Sequence, residues 1–202
     1  MSDRRPFILC LTGSVGMGKS TAAKFFAEAG VPVHDSDATV HALYEGEAVV
    51  LIEAAFPGST SAGKVDRTRL APMVLNDKAA LARLEAIVHP LVTASREKFL
   101  ADAAARGEPI VVFDIPLLFE TAAERRCDAV VVVSAPPAAQ RERVLKRPGM
   151  TEEKFTALVQ KQVPDEEKRR RADFIVDSSQ DFDHTRAQIR DILQSVATMR
   201  RW

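Results

Sequence analysis

Short apolar runs alternate along the chain with longer segments whose apolar residues recur every three or four positions. The short runs predict β-strands, because they are almost continuously apolar and rich in β-branched residues. The longer segments predict helices, since their spacing matches one face of a helix. The predicted strands are residues 7–12, 31–35, 109–114, 129–134 and 174–177, and the predicted helices are residues 20–29, 38–56 with a break near Gly46, 67–75, 78–88, 91–106, 138–147, 152–163 and 182–201.

This alternation indicates an α/β fold with a mainly parallel sheet that helices cover on both faces. Residues 40–106 interrupt the alternation, because they are mostly helical, apart from a turn-rich piece at 57–63, and are too long for one crossover. They predict an inserted helical subdomain. A second interruption, residues 147–151, indicates a helix that ends and another that restarts with Thr151 as its cap, which would hinge a small lid.

The composition fits one globular domain. The chain has 202 residues, of which 46% are hydrophobic and 28% are charged, and it is too short for two full domains with separate cores. Its 28 basic and 28 acidic residues balance. This balance argues against a protein that binds nucleic acid or an anionic membrane with its whole surface.

The two cysteines and the distribution of apolar residues indicate the cellular compartment of the protein. Cys10 lies in an apolar run, far in sequence from Cys127, which predicts two reduced, mostly buried thiols in a reducing compartment. The apolar stretch at residues 7–12 is short and runs into a glycine-rich loop, so a signal peptide is not expected, and no segment is long enough to span a bilayer. We therefore expect a cytoplasmic protein.

The sequence Gly13-Ser-Val-Gly-Met-Gly-Lys19-Ser20 matches the phosphate-loop pattern G-x-x-x-x-G-K-[ST]. Its glycines let the backbone curl so that successive N–H groups point at phosphate oxygens, and the following helix adds its positive end. Lys19 is expected to reach the β- and γ-phosphates, and the Ser20 hydroxyl to face Mg²⁺. A chance match is the alternative, but the loop follows an apolar strand and opens a helix, as a nucleotide site requires.

The rest of the chain narrows the class of nucleotide-binding protein. The D-x-x-G and N-K-x-D segments of a regulatory GTPase do not occur. The strand that ends at Asp114 supplies a carboxylate for the metal side, but Ile115 follows it instead of a glutamate that could activate water. A kinase transfers phosphoryl to a bound hydroxyl and needs no activated water, so this sequence favours a kinase.

An acceptor hydroxyl needs a site of its own. The second predicted strand ends in Val33-His-Asp-Ser-Asp37, and ligands of such sheets collect at the carboxyl ends of the strands. In an extended stretch Asp35 and Asp37 would point to the same side, one to take the hydroxyl proton and the other to orient the acceptor or hold metal-bound water. The alternative is that Asp35, Ser36 or Asp37 only caps the following helix.

Arginines next to the predicted lid could stabilise the transferring phosphoryl group. Arg143 and Arg147 are four residues apart on a predicted helix and share a face, where they would clamp phosphates; a solvated helix face is the alternative. The basic run at residues 168–171 indicates a solvated helix end. His89, ahead of Pro90 and between two predicted helices, either has a structural role or contacts the acceptor.

Several further motifs occur in an order that resembles the dephospho-CoA kinase family over nearly the whole chain. Many kinases share the phosphate loop, whereas the Asp-x-Asp pair, the His-Pro-Leu and the Pro-Leu-Leu-Phe-Glu are much more specific together. Two positions depart from the family pattern: Ser14, where a second glycine is common, and Ser178, where an asparagine is usual. The matching motifs are the loop through Thr21, Asp35-Ser-Asp37, Val65-Asp-Arg-Thr-Arg-Leu70, Leu84-Glu-Ala-Ile-Val-His-Pro-Leu91, Phe113-Asp-Ile-Pro-Leu-Leu-Phe-Glu120, residues 140–147, Gln160-Lys-Gln162 and Ala172-Asp-Phe-Ile-Val-Asp177.

The resemblance implies one P-loop kinase domain with a parallel five-stranded core, a helical acceptor-binding insertion and a lid. We expect the core at about residues 1–37, 108–146 and 172–202, the insertion at about 38–107 and the lid at about 147–171. It also implies that ATP phosphorylates the ribose 3′-hydroxyl of dephospho-CoA to give coenzyme A and ADP. The expected cofactors are ATP and Mg²⁺, the expected partners are these substrates without nucleic acid or membrane, and a monomer is favoured.

The expected site residues fall into four roles. By position in the family motifs, Asp37 matches the catalytic base, Lys19 the phosphate lysine and Arg143 the lid arginine. The ATP-binding residues are Gly13, Ser14, Val15, Gly16, Met17, Gly18, Lys19, Ser20, Thr21 and Arg147; the acceptor-binding residues are Asp35, Asp37 and His89; and the magnesium-binding residues are Ser20 and Asp114, the latter directly or through water.

Two rival functions stay open from the residues alone. One is another small-molecule kinase with a nucleoside, nucleotide or other hydroxyl acceptor, since the inserted helices would set acceptor identity. The other is a nucleotide-binding module without activity, against which the strand-end carboxylates argue.

Overall fold

The fold is an α/β sheet with an inserted group of helices. The computed structural model describes residues 5–199. In chain order its elements are β1 (Phe7–Thr12), α1 (Lys19–Glu28), β2 (Val33–Asp35), α2 (Ser36–Tyr44), α3 (Ala48–Ala55), β3 (Thr60–Ser61), β4 (Lys64–Val65), α4 (Arg67–Val74), α5 (Lys78–Ala105), β5 (Ile110–Asp114), a 3₁₀ turn (Ala123–Arg126), β6 (Ala129–Ser134), α6 (Pro137–Leu145), α7 (Glu152–Gln160), α8 (Asp165–Arg170), β7 (Phe174–Asp177) and α9 (Phe182–Met199).

Five strands form one parallel sheet in the order β2-β5-β1-β6-β7. Strands β5 and β6 are buried throughout, as expected for parallel strands that are covered on both faces. This confirms the predicted α/β fold, and each of the five predicted strands is present within two residues of its predicted bounds. The strand order places β1 at the centre of the sheet, so the loop that follows β1 leaves from a rigid position.

The chain divides into two compact units. One contains residues 5–34 and 103–199 with the sheet, and its core is built from apolar side chains such as Leu9, Phe26 and Val131. The other contains residues 35–102, and its separate core includes Ile52 and Leu84. Within residues 5–199, no helix combines the length and apolar character that crossing a membrane would need.

A small hairpin lies in the stretch that the sequence shows only as turn-rich. Strands β3 and β4 pair antiparallel, and Ala62 and Gly63 between them both have positive φ angles, of 51° and 76°. The Glu53 carboxylate accepts hydrogen bonds from the Gly58 and Thr60 N–H groups, which lower its pKa. Strands of two residues leave no period-two pattern, so the sequence could not indicate them.

Helix α5 runs without a break from Lys78 to Ala105, although two helices separated at His89-Pro90 are predicted. Proline removes one helical hydrogen bond and usually ends or kinks a helix. Here Pro90 is exposed, so the carbonyl that loses its donor can bond to water, while buried Leu84, Val88 and Ala103 hold both halves in place. The prediction that His89 lies between two helices is therefore wrong.

The predicted solvated helix end at residues 168–171 is confirmed for residues 169–171, which are exposed where α8 ends, but it is wrong for Lys168, which is fully buried. Its Nζ lies 2.9 Å from a Glu120 carboxylate oxygen. Burial raises the pKa of Glu120, but the contacts with Lys168 and the Val163 N–H outweigh this effect and hold the pKa below its usual value. The ion pair anchors α8, and the Ser134 hydroxyl reinforces it by donating to Asp165 over 2.6 Å.

The two cysteines form a disulfide, so the prediction of two reduced thiols is wrong. Cys10 lies in β1, and Cys127 lies just before β6, which pairs with β1. The Asp128 N–H donates to the Ile8 carbonyl, and this pairing brings the two cysteine Cα atoms to 5.7 Å. A contact across so long a separation leaves no local signal in the sequence, and the cysteine argument for a reducing compartment falls with it.

The buried ion pair makes a prediction about stability. Replacing Lys168 by Met leaves the Glu120 carboxylate without its buried counterion, and loss of one partner of such a pair costs about 3–5 kcal/mol. Urea unfolding should therefore show a lower free energy for Lys168→Met. The control is Lys146→Met, whose ammonium is exposed and pairs with Glu142, with an expected change below about 1 kcal/mol. A loss in Lys168→Met as small as that expected for the control, below about 1 kcal/mol, would show that the buried pair does not stabilise the fold.

Candidate active site

The phosphate loop, residues 13–18, connects the end of β1 to the start of α1. Gly16 and Gly18 have φ angles of 79° and 87°, a region that side-chain-bearing residues seldom adopt. Gly18 is the N-cap of α1, and no acidic residue lies in the first turn of that helix, so its positive end is not neutralised locally. The predicted setting of strand, glycine loop and helix is confirmed.

Neighbouring elements press closely against the loop. A Cβ atom at Gly13 would stand 2.7 Å from the Val133 carbonyl oxygen. One at Gly16 would stand 2.5 Å from a Val144 methyl carbon and 2.9 Å from the Gln140 carbonyl oxygen. The glycines are therefore required both by the curvature of the backbone and by the absence of space.

The loop lysine is paired with a carboxylate from the adjacent strand. Lys19 Nζ contacts the carboxylate of Asp114, which is 3% exposed at the end of β5. Parallel pairing of β1 with β5 sets Leu11 opposite Asp114, and this register brings the strand end to the base of the loop. The structure thus brings together two residues that the sequence placed on the nucleotide side.

The two residues expected near Mg²⁺ are both oxygen donors. Ser20 is exposed in the first turn of α1, and Asp114 lies at the end of β5. Magnesium prefers oxygen ligands and keeps several waters and phosphate oxygens, so these side chains fit the ion. Among residues 5–199, no group of three or more histidine, cysteine, aspartate or glutamate side chains forms a metal cage.

Arg143 lies directly against the phosphate loop. Its guanidinium donates to the Ser178 hydroxyl over 3.0 Å and to the Ser178 carbonyl over 2.7 Å. Helix α6 ends at Leu145, so Arg147 lies beyond it and is exposed. The predicted sharing of one helix face by the two arginines is wrong, because Arg147 precedes Pro148 and the residue before a proline is disfavoured in a helix.

Asp35 and Asp37 do not lie in one extended stretch, because α2 begins at Ser36. Asp35 is the N-cap of α2, and its carboxylate accepts a hydrogen bond of 2.9 Å from the Ala38 N–H. The capping alternative is therefore confirmed for Asp35. Asp37 lies in the first turn of α2, and its direction follows from the helix instead of from strand alternation.

Asp37 lines a cavity of about 480 Å³ within the helical unit. Aliphatic side chains from α2, α4 and α5 form most of its wall, and Tyr44 and Arg67 add polar groups. The Arg67 guanidinium lies 5.3 Å from the centre of the Tyr44 ring, and burial raises the pKa of the Tyr44 hydroxyl against the opposing charge of Arg67. His89 is exposed on α5 and is not among the lining residues.

Three polar residues next to the loop have no place among the predicted site residues. Gln140 donates to the Val15 carbonyl, Gln162 accepts from the Val15 N–H, and Ser178 donates to the Met17 carbonyl. The two glutamines belong to motifs on which the family resemblance rests, so the resemblance could have identified them as candidate site residues. The family pattern, which usually has asparagine at position 178, marked that position, but no pattern in the sequence connects Ser178 with a loop 160 residues earlier.

The strand order, the glycine loop between β1 and α1, and the Lys19–Asp114 pair are the features of the P-loop class of proteins, to which P-loop kinases belong. The family model described as dephospho-CoA kinase matches residues 7–184. The chain belongs to the dephospho-CoA kinase family.

Close relatives carry the same name. The chain is 62% identical over 192 residues to a dephospho-CoA kinase of Bradyrhizobium diazoefficiens, covering 95% of this chain and 96% of the relative. It is 60% identical over 193 residues to one of Mesorhizobium japonicum, covering 96% and 98%. Family membership agrees with the resemblance that the motifs indicate.

Solved structures agree on the fold. A crystal structure from Thermus thermophilus is similar with a TM-score of 0.80 at 34% identity, covering 95% of this chain and 98% of that one. A dephospho-CoA kinase from Campylobacter jejuni gives a TM-score of 0.63 at 24% identity, covering 94% and 96%. The second likeness, at its lower identity, bears on the fold alone.

The close contacts at Gly16 make a prediction about the loop. Gly16→Ala should weaken ATP binding at least tenfold, because the added methyl group meets Val144 and the α6 backbone, and the loop must move to accommodate it. Gly107→Ala is the matched control, since Gly107 has a φ of +73° with no atom within 4 Å of its added Cβ. Both variants should lose about 1 kcal/mol of stability from the strained φ, and Gly16→Ala should lose more because of its clash. Isothermal titration with ATP separates them, and equal affinity of both for ATP would contradict the steric argument.

Proposed function

We propose that the protein transfers the γ-phosphoryl group of ATP to the 3′-hydroxyl of the ribose in dephospho-CoA, with the residues of this chain in the roles described below. The match of the family model over residues 7–184 carries this proposal. The hydroxyl oxygen forms the new bond to the γ-phosphorus, the bond between that phosphorus and the β,γ-bridging oxygen breaks, and ADP leaves. The released proton passes to a carboxylate.

The donor side of the reaction is assigned to the phosphate loop and Lys19. The loop N–H groups and the start of α1 would hold the phosphates of ATP, and the Lys19 ammonium would exchange its contact with Asp114 for the β- and γ-phosphate oxygens. Phosphoryl transfer has a loose transition state, so most of the acceleration comes from positioning and charge stabilisation. Arg143 would exchange its contacts with Ser178 for a phosphate oxygen, and Arg147 would enter when the lid, predicted at residues 147–171, closes. Helix α8 within that range is held by Lys168 and Asp165, so the closing part would be the segment before it.

A magnesium ion fits the ATP-binding side of the site. The Ser20 hydroxyl would contact the ion, and the Asp114 carboxylate would hold it directly or through water. When bound, Mg²⁺ neutralises charge on the β- and γ-phosphate oxygens.

The acceptor side is assigned to the cavity of the helical unit. Its aliphatic wall suits the apolar faces of a nucleobase, the Arg67 guanidinium suits a diphosphate, and the Asp37 carboxylate suits a ribose hydroxyl. Asp37 would take the proton of the 3′-hydroxyl as general base, which contributes about 10²-fold to the rate. Asp35, through the carboxylate oxygen that does not accept from Ala38, and His89 are the further residues assigned to acceptor binding.

We infer a cytoplasmic enzyme, because its proposed substrates are small molecules, and we propose that it acts as a monomer. Disulfides are rare in the cytosol, so the Cys10–Cys127 bond does not support a cytoplasmic location. The proposed substrates are the support for it.

Mass spectrometry tests the proposed reaction directly. Purified protein incubated with ATP, Mg²⁺ and dephospho-CoA should yield coenzyme A and ADP, whereas shikimate, gluconate and nucleosides should remain unmodified. Nucleotide binding without transfer to dephospho-CoA would contradict the proposal. Faster transfer to another hydroxyl compound would reassign the acceptor.

Removal of the proposed base should affect the chemical step. Asp37→Asn is expected to lower kcat about 100-fold with little change in the dissociation constant for ATP, because Asp37 belongs to the acceptor side. The matched control is Asp191→Asn, an exposed position on α9, which should keep the wild-type kcat. Steady-state kinetics and ATP titration measure both, and turnover of Asp37→Asn within a few-fold of wild type would exclude it as the base.

Removal of the loop ammonium should abolish transfer. Lys19→Met eliminates the only side-chain charge within the loop motif, so we expect no detectable coenzyme A and weaker ATP binding. Lys24→Met, further along α1 with its ammonium exposed, is the control and should retain activity. Near-normal product formation by Lys19→Met would remove the loop lysine from the mechanism.

A further inference from the structure

The outer side of the phosphate loop is held by side chains from elsewhere in the fold. A loop that turns successive N–H groups to its concave side turns carbonyl oxygens to the other side, and buried carbonyls require donors. Three successive loop carbonyls each meet such a donor. The contacts are Gln140 Nε2 to the Val15 oxygen at 2.9 Å, Arg143 Nη1 to the Gly16 oxygen at 3.5 Å, and Ser178 Oγ to the Met17 oxygen at 2.8 Å.

These three donors, Gln140, Arg143 and Ser178, form what we call the carbonyl brace. Its members also hold one another: the Ser178 hydroxyl donates to Met17 while it accepts from Arg143, and the Arg143 guanidinium binds the Ser178 carbonyl as well. Gln140 is 7% exposed, so its amide would be costly to bury without a partner. The brace is therefore a connected set of buried or half-buried polar groups.

The elements that carry the brace fit tightly around the loop. Gln140 and Arg143 lie three residues apart on α6 and share one of its faces. Ser178 follows directly after β7, and its hydroxyl would lie 3.1 Å from a Cβ atom at Gly18. Helix α6 and the end of β7 thus form a wall behind the three loop carbonyls.

Gln162 completes the restraint at Val15 from the other side of the same residue. Its side-chain oxygen accepts a hydrogen bond of 3.1 Å from the Val15 N–H, while Gln140 binds the Val15 carbonyl. Both backbone polar groups of Val15 are therefore used, and neither peptide unit that flanks this residue can rotate without breaking a hydrogen bond.

We propose that Gln140 and Ser178 are positioning residues for phosphoryl transfer, which keep the loop carbonyls turned away from the triphosphate. They bind no substrate themselves; they act through the loop. A carbonyl that rotated inward would place a partial negative charge against the phosphates and remove an N–H donor, which weakens binding twice. This role rests on the proposed use of the loop as the ATP site.

Two substitutions test the brace. Ser178→Ala removes the donor to Met17 with little change of volume, and Gln140→Glu keeps the shape but sets a carboxylate oxygen against the Val15 carbonyl. Each should raise the KM for ATP about tenfold, the loss that one hydrogen bond predicts, and leave the KM for dephospho-CoA within twofold. Each should weaken binding of inorganic tripolyphosphate, which has no base or ribose, by the same factor.

The controls separate hydrogen bonding from general damage. Ser195→Ala and Gln194→Glu, both on α9 and away from the loop, should keep wild-type values. Ser178→Asn, which retains a side-chain donor, should stay within about threefold of wild type. Urea unfolding without ligand reports stability for every variant.

The outcomes distinguish the brace from the proposed function. The proposed positioning role would be wrong if Ser178→Ala and Gln140→Glu lowered stability but kept the wild-type affinity for tripolyphosphate. The contacts of the brace would then be structural only. An equal loss in Ser178→Asn and Ser178→Ala would also overturn that role. Wild-type protein that bound tripolyphosphate but phosphorylated no dephospho-CoA would instead contradict the proposed function, and the binding measurements would still decide the brace.

Discussion

The orientation of the peptide units in the phosphate loop is the constraint on which the rest of the proposed site depends. A short backbone segment cannot present N–H groups in one direction without presenting oxygens in the other. The fold meets this requirement with the side chains of Gln140 on α6 and Ser178 just after β7, which lie more than 120 residues after the loop. The N-terminal motif therefore needs the C-terminal half of the chain to hold its shape.

Basic side chains near the loop are also held by specific contacts. The chain is neutral overall, yet the basic groups near the loop are each matched to a specific oxygen: Lys19 to Asp114 and Arg143 to Ser178. Such pairing keeps flexible cations in defined positions at little cost in long-range repulsion. The helical unit has its own polar groups, Asp37, Tyr44 and Arg67, in an otherwise aliphatic cavity, and under the proposed function it binds the acceptor.

Local patterns predicted most of the fold and the loop, whereas contacts between distant residues escaped them. The strands were predictable because buried parallel strands are continuously apolar, and the loop because its glycines and Lys19 are consecutive. The break predicted at Pro90 is absent, because packing of the helix on both sides of this residue outweighs the lost hydrogen bond and the steric clash of the proline ring. The contacts of Lys168 and Ser178 could not be predicted from local patterns. Lys168 pairs with Glu120, and Ser178 donates to the Met17 carbonyl, and both contacts arise from tertiary packing.

The cystine also shapes the denatured chain. It joins positions 117 residues apart, and the ring so closed contains the whole helical unit, residues 35–102. With the bond intact, that unit unfolds within a closed ring of chain. In the loop-closure model, closing a ring of about 100 residues lowers the conformational entropy of the unfolded chain, which stabilises the folded state by about 4–5 kcal/mol. Oxidised and reduced samples therefore refer to different denatured ensembles, and unfolding free energies are comparable only within one redox state.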